Sequence, residues 1–128
     1  MIGRTAIATD QAPAAIGPYA QAIRAGGWLW LSGQVALDPV SGTLVGRTAA
    51  EQAEQVLANL GAVLAAAGAG FEHLVRCTIY LKDLGDFAAV NAVYGRHMPD
   101  PPPARATVEV SRLPREALVE IDGIAFLG

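Results

Sequence analysis

Residues 101–110 read Pro101-Pro-Pro-Ala-Arg105-Ala-Thr-Val-Glu-Val110, three prolines followed by an alternation of apolar and polar residues. Proline has no backbone N–H and is excluded from helix interiors and central strands, so the prolines predict a stiff, extended approach. The alternation that follows predicts a β-strand with its apolar residues on one face. Arg105 and Thr107 share the other face, and Arg105 lies at the mouth of the strand.

Arg105 is the first candidate for a functional side chain. A guanidinium held by a rigid approach and a strand can bind a carboxylate or a phosphate through two parallel hydrogen bonds. The ordinary interpretation is a solvated arginine at the start of a strand, and residues 101–110 alone favour it. The rest of the sequence is needed to decide between the two.

The hydrophobic content of the chain is high for its size. With 128 residues the chain can bury a single core, and we expect one domain over residues 1–128. Hydrophobic residues make up 52% and charged residues 16%, which favours buried subunit interfaces, because small monomers rarely expose large apolar patches. The net charge of −3 argues against a nucleic-acid surface, which needs a clustered basic face.

Three features predict a soluble, cytoplasmic protein. The single cysteine, Cys77, excludes an intrachain disulfide and fits a reducing compartment. The first residues, Met-Ile-Gly-Arg-Thr-Ala-Ile-Ala, lack the apolar run of a signal peptide. The uncharged segment 55–71 is rich in Ala and Gly and too short for a membrane span, so it predicts a core helix.

The first third of the chain predicts three strands. They cover residues 4–9, 19–24 and 28–35, and the glycines at 26 and 27 indicate a hairpin between the second and the third. In the third strand Trp28 and Trp30 share one face, while Leu29 and Leu31 share the other. Both faces are apolar and need cover, which one chain of this size will struggle to supply.

The clearest element is a helix that begins after Thr48 and ends at Gly68. Thr48 and Glu51 form a capping box, and Gly68 is a typical C-terminal stop. Its apolar stripe consists of Ala53, Val56, Leu57, Leu60, Val63, Leu64 and Ala67.

The second half of the chain predicts a strand at 75–82, a second helix, the Arg105 strand and a last strand at 117–127. Asp83 or Asp86 caps the second helix, and Pro99 stops it. Its apolar stripe consists of Phe87, Val90, Asn91, Tyr94 and Met98. The order β-β-β-α-β-α-β-β predicts an α+β fold with two helices on one face of a sheet.

The sequence lacks the residue patterns that several common kinds of functional site require. His73 and His97 lie far apart, with no second His or Cys at ligand spacing, so no metal site is expected. Ser32 lacks the flanking glycines of a nucleophile elbow, and the glycines at 26 and 27 join two strands, unlike a phosphate-binding loop. Cys77 alternates with core residues, which predicts a buried and inert thiol.

Three polar or amphipathic residues stand where apolar ones are expected. Asn91 lies on the stripe of the second helix, Glu120 interrupts an apolar strand, and Tyr19 follows a Gly-Pro pair. Their ordinary interpretations are a core amide, a solvent-facing carboxylate and a ring that covers the core. A buried carboxylate at Glu120 would instead be costly, and therefore a functional choice.

Together these residues match a family pattern. The matching motifs are Ala14-Ala-Ile-Gly-Pro-Tyr19-Ala-Gln21, Leu31-Ser-Gly-Gln34, Leu81-Lys-Asp-Leu84, Phe87-Ala-Ala-Val-Asn91, Pro103-Ala-Arg105 and Val119-Glu120-Ile121. In order and spacing, over essentially the whole chain, they resemble the reactive-intermediate deaminase family, also called RidA or YjgF-like proteins. Members of that family hydrolyse 2-imino acids, such as 2-iminobutanoate and 2-iminopropanoate, to 2-keto acids and ammonia.

The resemblance implies a six-stranded mixed sheet with both helices on one face, the chorismate-mutase-like arrangement. It also implies a homotrimer without metal or cofactor, with a pocket at each subunit interface and with neither nucleic acid nor membrane as a partner. Proximity along the chain would pair the last strand with the Arg105 strand. The family order instead places it inside the sheet, beside the third and fourth strands, and we expect that order.

The resemblance also implies roles for individual residues. Arg105 corresponds to the arginine that binds the substrate carboxylate, and Glu120 to the acid that positions and activates a water. The remaining matching pocket positions are Tyr19, Ser32, Gly33, Asn91 and Thr107. The chain departs from the pattern at Thr107, where some relatives carry cysteine, and at Pro102, where many carry an aromatic residue that shapes the pocket rim.

The chemistry is compatible with these residues, because a protonated imine carbon is electrophilic enough for water once a base assists. Two alternatives remain open. One is a sensor of small carboxylic acids that uses the same Arg105 contact without significant turnover. The other is a ribonuclease or translation inhibitor, which the acidic composition and the lack of a basic, aromatic-lined groove disfavour.

Overall fold

The computed structural model describes residues 3–128, so Met1 and Ile2 of the N-terminal pattern lie outside the described residues. The chain forms six strands and two α-helices in the predicted order. The elements are β1 (Arg4–Ile7), β2 (Ala22–Ala25), β3 (Trp28–Gln34), α1 (Ala49–Ala66), β4 (Leu74–Leu81), α2 (Phe87–His97), β5 (Ala104–Glu109) and β6 (Val119–Phe126). The second strand is shorter than predicted because residues 10–21 form a loop.

The strands form one mixed sheet in the order β1-β2-β3-β6-β4-β5. The last strand pairs antiparallel with both β3 and β4, while β5 runs parallel to β4 at the edge. The family strand order is therefore confirmed, and the simple hairpin of β6 with the Arg105 strand is absent from the described residues. A β-bulge between Leu31 and Gln34 interrupts the pairing of β3 with β6 beside Ser32 and Gly33.

Helix α1 packs on one face of the sheet and forms most of the core. Its predicted capping box is present: the Thr48 hydroxyl accepts from the Glu51 N–H, and the Glu51 carboxylate accepts from the Thr48 N–H. The predicted stripe is buried against the sheet, together with Leu29, Leu31 and Cys77. The predicted burial of Cys77 is confirmed, and burial raises the pKa of its thiol, as expected for an inert core cysteine.

The stripe predicted for α2 is wrong in part. Val90 and Tyr94 are buried as predicted, but Val93 is buried in place of Asn91, which is exposed. Phe87, also predicted for the stripe, is exposed as well. Asp86 occupies the N-cap position without a capping bond from its side chain, and Asp83 caps the short 3₁₀ turn that precedes the helix. The helix is short and covers only the β4–β5 end of the sheet, so its stripe is narrow and Asn91 lies at its margin.

The opposite face of the sheet, here called the open face, carries no helix of the described residues. Trp28, Trp30 and Phe126 lie on it and are between 44% and 51% exposed, and the Trp28 and Phe126 rings pack at 4.7 Å. Exposed aromatic side chains on a sheet of this size indicate a face that another protein surface covers. This agrees with the expectation that β3 needs cover on both of its faces. No helix in the described part of the chain is long and apolar enough to cross a membrane.

Candidate active site

Arg105 lies on the helix face of the sheet, where β5 passes under α2. Its Nη1 donates to Asn91 Oδ1 at 2.8 Å, and its guanidinium carbon lies 5.0 Å from the centroid of the Tyr94 ring. The Phe87 ring lies 5.5 Å away. These contacts hold the planar group by stacking and by one hydrogen bond. Among residues 3–128 no carboxylate forms an ion pair with it.

The remaining guanidinium donors of Arg105 are therefore available to a ligand. A shallow hollow of about 400 Å³ opens beside the side chain, and Asn91, Pro99 and Pro102 contribute to its wall. Pro102, for which the resemblance implies a position at the pocket rim, thus lies in the wall of this hollow. A single neighbouring amide leaves most of the fork unpaired, which suits a bidentate carboxylate ligand.

Thr107 follows Arg105 on the same face of β5, and its hydroxyl is buried without a hydrogen-bond partner among the described residues. The Tyr94 hydroxyl is in the same situation, close to the Cys77 thiol but without well-formed hydrogen-bond geometry. Burial strongly raises the pKa of Tyr94, so this phenol remains protonated. Two buried hydroxyls without hydrogen-bond partners are unusual in a folded protein. Together with the arginine that lacks an ion-pair partner, they indicate a polar site at this end of the sheet.

Glu120 lies on the open face, in a cavity of about 650 Å³ between β3, β6 and the loop that precedes β2. Tyr19, Ser32 and Gly33 also line this cavity, so it holds three of the predicted pocket residues together with the predicted acid. Tyr19 also lines a second cavity of about 670 Å³, half of whose lining residues are alanine. Asp10 lines that second cavity, whereas the predicted acid lines the first.

The Glu120 carboxylate is half-buried and has a raised pKa. Burial is the main cause, and the negative charge of Asp122, two residues along the same face of β6, adds to it. A carboxyl group whose pKa lies above its usual range is a stronger base when ionised, which suits proton transfer near neutral pH. The ordinary interpretation of Glu120 as a solvent-facing carboxylate is therefore wrong in part, because the side chain is only partly exposed.

Ser32 and Gly33 are shaped by the bulge in β3. The Ser32 hydroxyl donates to the Ala20 carbonyl at 2.6 Å, so its proton is committed and its oxygen faces the cavity as an acceptor. A methyl group at Gly33 would overlap Glu120 Oε2, so glycine is required for the carboxylate to lie against the backbone.

Replacement of Gly33 by alanine is expected to displace the Glu120 carboxylate. The backbone of Gly33 does not need a left-handed conformation, so Gly33→Ala should fold normally. We expect a fall of about 10²-fold in kcat/KM on a 2-imino acid, the substrate class that the family resemblance implies. This is the scale of loss for a catalytic group misplaced by about 1 Å. Gly3→Ala, where an added methyl meets no atom within 4 Å, is the matched control. Wild-type kcat/KM in Gly33→Ala would show that catalysis does not depend on the contact between the Glu120 carboxylate and Gly33.

The predicted site residues therefore form two clusters rather than one. Arg105, Asn91 and Thr107 lie on the helix face at the β5 edge, as the pairing of Arg105 with Cys77 shows. Glu120 pairs with Tyr80, and its side chain is on the open face, near Tyr19, Ser32 and Gly33. Within one chain the sheet separates the acid from the arginine.

Three residues near the Glu120 cavity were not predicted. Asp122 and Tyr80 share the open face with Glu120, and the Tyr80 hydroxyl donates to Asp122 Oδ2 at 3.0 Å. Arg115 lines the cavity and donates to the Gly42 carbonyl at 3.1 Å. Period-2 spacing from Glu120 could have indicated Asp122, but the approach of Tyr80 depends on strand register. In the described residues no three His, Cys, Asp or Glu side chains come together to hold a metal ion.

Comparison with known proteins identifies the family of the chain. A family model described as endoribonuclease L-PSP matches residues 9–127, nearly the whole sequence. The chain belongs to this family. Its members include the RidA and YjgF-like proteins, so the resemblance seen in the sequence motifs is confirmed.

Relatives within the L-PSP family carry different names. Protein DfrA of Myxococcus xanthus is 59% identical over 97% of this chain and 96% of its own. The 2-iminobutanoate/2-iminopropanoate deaminase of Mus musculus is 47% identical over 98% of this chain and 93% of its own. The crystal structure of RidA from the Antarctic bacterium Psychrobacter superposes with a TM-score of 0.92 at 41% identity, covering 95% of this chain and 98% of that one. The L-PSP fold is thus established for this chain, and the family includes imine deaminases.

Proposed function

We propose that this protein is a cytoplasmic, metal-independent deaminase that hydrolyses reactive 2-imino acids to 2-keto acids and ammonia. The observation that carries the proposal is the presence of two incomplete clusters on opposite faces of the sheet: an arginine without a carboxylate partner among the described residues, and a base with a raised pKa in a separate cavity. Each cluster supplies half of what the hydrolysis of a small imino acid requires. Membership of a family that includes imine deaminases supports the choice of substrate.

Arg105 binds the carboxylate of the substrate in this proposal. Its guanidinium fork donates a hydrogen bond to each carboxylate oxygen, and Asn91 and the Tyr94 ring hold it flat while the ligand binds. Charge-assisted hydrogen bonds of this kind contribute roughly 1.5–3 kcal/mol each. Because the carboxylate is attached to the imine carbon, fixing it also fixes the direction from which water can attack.

Glu120 and Ser32 act on the reacting atoms. The ionised Glu120 takes a proton from a water as the water oxygen bonds to the imine carbon, which gives a carbinolamine. The same carboxyl then returns the proton to nitrogen. As the C–N bond breaks and ammonia leaves, the carboxylate takes the proton of the carbinol hydroxyl, so that the keto group forms, and it passes this proton to the departing ammonia. The Ser32 oxygen, whose proton is donated to Ala20, accepts a hydrogen bond from the protonated imine nitrogen. Tyr19 covers the cavity and limits the entry of other waters.

The active site is assembled between subunits of a homotrimer in this proposal. The sheet keeps Arg105 and Glu120 of one chain apart, so a complete site needs the Arg105 cluster of one subunit against the Glu120 cavity of its neighbour. The exposed aromatic side chains of the open face supply an apolar surface for that assembly. Closed rotational symmetry would give three equal sites for three chains.

Light scattering is expected to show a trimer of three 13.2 kDa chains at micromolar concentration. Trp30→Glu, which puts a charge among the exposed aromatic side chains of the open face, should dissociate it and abolish turnover. Arg24→Glu, at an exposed position of β2, is the matched control and should stay trimeric. A stable, active monomer of the wild-type protein would rule out a site shared between subunits.

A coupled assay tests the proposed reaction. An amino-acid oxidase or a dehydratase generates 2-iminobutanoate continuously, and the release of 2-ketobutanoate and ammonia is followed with and without the protein, in the presence of a chelator. Acceleration that scales with protein concentration supports the proposal. Tight binding of small carboxylates without acceleration would favour the sensor, and cleavage of RNA without imine turnover would favour the ribonuclease.

A further inference from the structure

Next to Glu120, Asp122 and Tyr80 form a hydrogen-bonded pair. Neither residue has a role in the proposed reaction as described so far. Asp122 is two residues from Glu120 on β6, so both side chains are on the open face. Tyr80 lies directly opposite Glu120 in the register of β4 with β6, yet its hydroxyl donates to Asp122 Oδ2 at 3.0 Å. The Tyr80 side chain thus extends past Glu120, and its hydroxyl binds the carboxylate of Asp122 instead.

We propose that Asp122, held by Tyr80, is a positioning residue that turns the Glu120 carboxylate toward Ser32 and Gly33. Two carboxylates at i and i+2 of a strand are about 7 Å apart at Cα, close enough to repel across a half-buried surface. Asp122 cannot rotate away without breaking its bond to Tyr80. Glu120 is therefore the one that turns, and its Oε2 lies against the Gly33 backbone of β3, whereas Tyr80 holds Asp122 from β4, on the other side of β6.

The partly buried setting makes this repulsion effective. Glu120, Asp122 and Tyr80 are all partly buried in the described structure, so solvent screens the two charges incompletely. Burial and the charge of Asp122 both raise the pKa of Glu120, and burial and the bond to Asp122 raise the pKa of Tyr80. The tyrosine therefore stays protonated and remains a hydrogen-bond donor near neutral pH.

The other groups that face Glu120 have different partners. From β3 the neighbours are Ser32 and Gly33, which carry no charge. Tyr19 enters from the loop before β2, and Arg115, from the turn before β6, is bonded to the Gly42 carbonyl. Nearby charged side chains that line a separate hollow are Lys82, Arg112 and Glu116. Within one chain, Asp122 is thus the carboxylate that shares the open face of β6 with Glu120 and is itself held by a hydrogen bond.

The proposal rests on the proposed function only for its rate effects, so its first test is independent of activity. The carboxyl carbon of Glu120 is followed by ¹³C NMR titration in wild type, Asp122→Asn and Asp122→Glu, with Glu120→Gln to assign the signal. Loss of the Asp122 charge is expected to lower the pKa of Glu120, whereas Asp122→Glu, which keeps the charge, should restore it. Ile124→Val, on the same face of β6 without a change of charge, is the control and should leave it unchanged.

The second test is kinetic. Asp122→Asn and Tyr80→Phe should each lower kcat/KM on 2-iminobutanoate by roughly 10-fold, mainly through kcat, because neither residue touches the substrate carboxylate. The acid limb of the pH profile should move to lower pH in Asp122→Asn, after subtraction of the spontaneous hydrolysis measured without protein. In Tyr80→Phe the charge remains, so its limb should stay near that of wild type while kcat falls.

The two tests separate the outcomes. A lowered pKa of Glu120 in Asp122→Asn, found in a protein without imine turnover, would support the pairing and reject the deaminase proposal. An unchanged pKa of Glu120 in Asp122→Asn would overturn the proposal that Asp122 acts on Glu120, whatever the rates are. Loss of activity in Asp122→Asn with an unchanged pH profile and no recovery in Asp122→Glu would also overturn it, because only a structural role predicts that result.

Discussion

Glu120→Gln is expected to lower kcat/KM on 2-iminobutanoate by about 10²–10⁴-fold, the usual contribution of a general base. Glutamine keeps the shape of the side chain and its contact with Gly33, but it cannot take a proton from water. In wild type the rate should fall as the pH drops through the raised pKa of Glu120, because the base is then protonated. The variant should lack this acid limb.

The stability of Glu120→Gln provides the folding control. Because the pKa of Glu120 is higher in the folded than in the unfolded chain, the ionised carboxylate lowers stability above that pKa and costs nothing below the unfolded value. Glutamine removes this cost, so the Tm of the variant at neutral pH should equal or exceed that of wild type. Near-normal turnover with an unchanged pH profile would reassign Glu120 to a structural role.

Arg105→Ala is expected to lower kcat/KM by some 30-fold to several thousand-fold, the roughly 2–5 kcal/mol that follows when one partner of a desolvated charge pair is removed. Arg105→Lys keeps the charge but loses the paired, coplanar donors and the stacking on Tyr94. Its kcat/KM should therefore fall between those of Arg105→Ala and wild type. Both variants should fold, because a cation–π contact at such a site contributes only about 0.5–1 kcal/mol.

Arg24→Lys is the matched control for the arginine series. Arg24 is exposed on β2, and its guanidinium donates within the chain only to the Gly26 carbonyl among the described residues. Its kcat/KM should equal that of wild type, with circular dichroism to confirm the folding of every variant. If Arg105→Lys matched wild type, charge alone would suffice and the fork would be wrong. If Arg105→Ala matched it, Arg105 would be a solvated arginine without a role in binding.

Local signals predicted α1 well. Its capping box, its apolar stripe and its glycine stop all depend on residues within a few positions of one another, so they can be recognised in the sequence. The α2 stripe was less accurate because Val93 and Asn91 are on adjacent sides of a narrow stripe, and only packing on β4 and β5 decides which one is buried. Periodicity alone does not contain that information.

The position of β6 could not be derived from local pattern. Its pairing with β3 and β4 joins residues about 40 to 100 positions apart, and the family resemblance predicted it where proximity in sequence would have failed. The buried amides are a similar case. Gln21 bonds to the backbone of the loop before β2, and Asn59 donates to the Val35 and Leu37 carbonyls, contacts that no spacing rule indicates.

The chemistry of the candidate site was predictable, but its geometry was not. The sequence predicted Arg105 as the residue that binds a carboxylate and Glu120 as the base, both from residue type and from the family resemblance. Their placement on opposite faces follows from strand register, which pairs Arg105 with Cys77 and Glu120 with Tyr80. Register also brings Tyr80 to Asp122. These long-range pairings determine which of the polar residues lie together in each of the two clusters.

Subunit complementation tests the central claim most directly. Arg105→Ala and Glu120→Gln are each inactive at every site, but a mixed trimer contains sites that combine an intact Arg105 from one subunit with an intact Glu120 from its neighbour. After the two variants are unfolded together in equal amounts and refolded, random assembly should restore about a quarter of the wild-type activity on 2-iminobutanoate. Activity that stays at the level of the separate variants, in trimers shown to be mixed, would contradict a deaminase site shared between subunits.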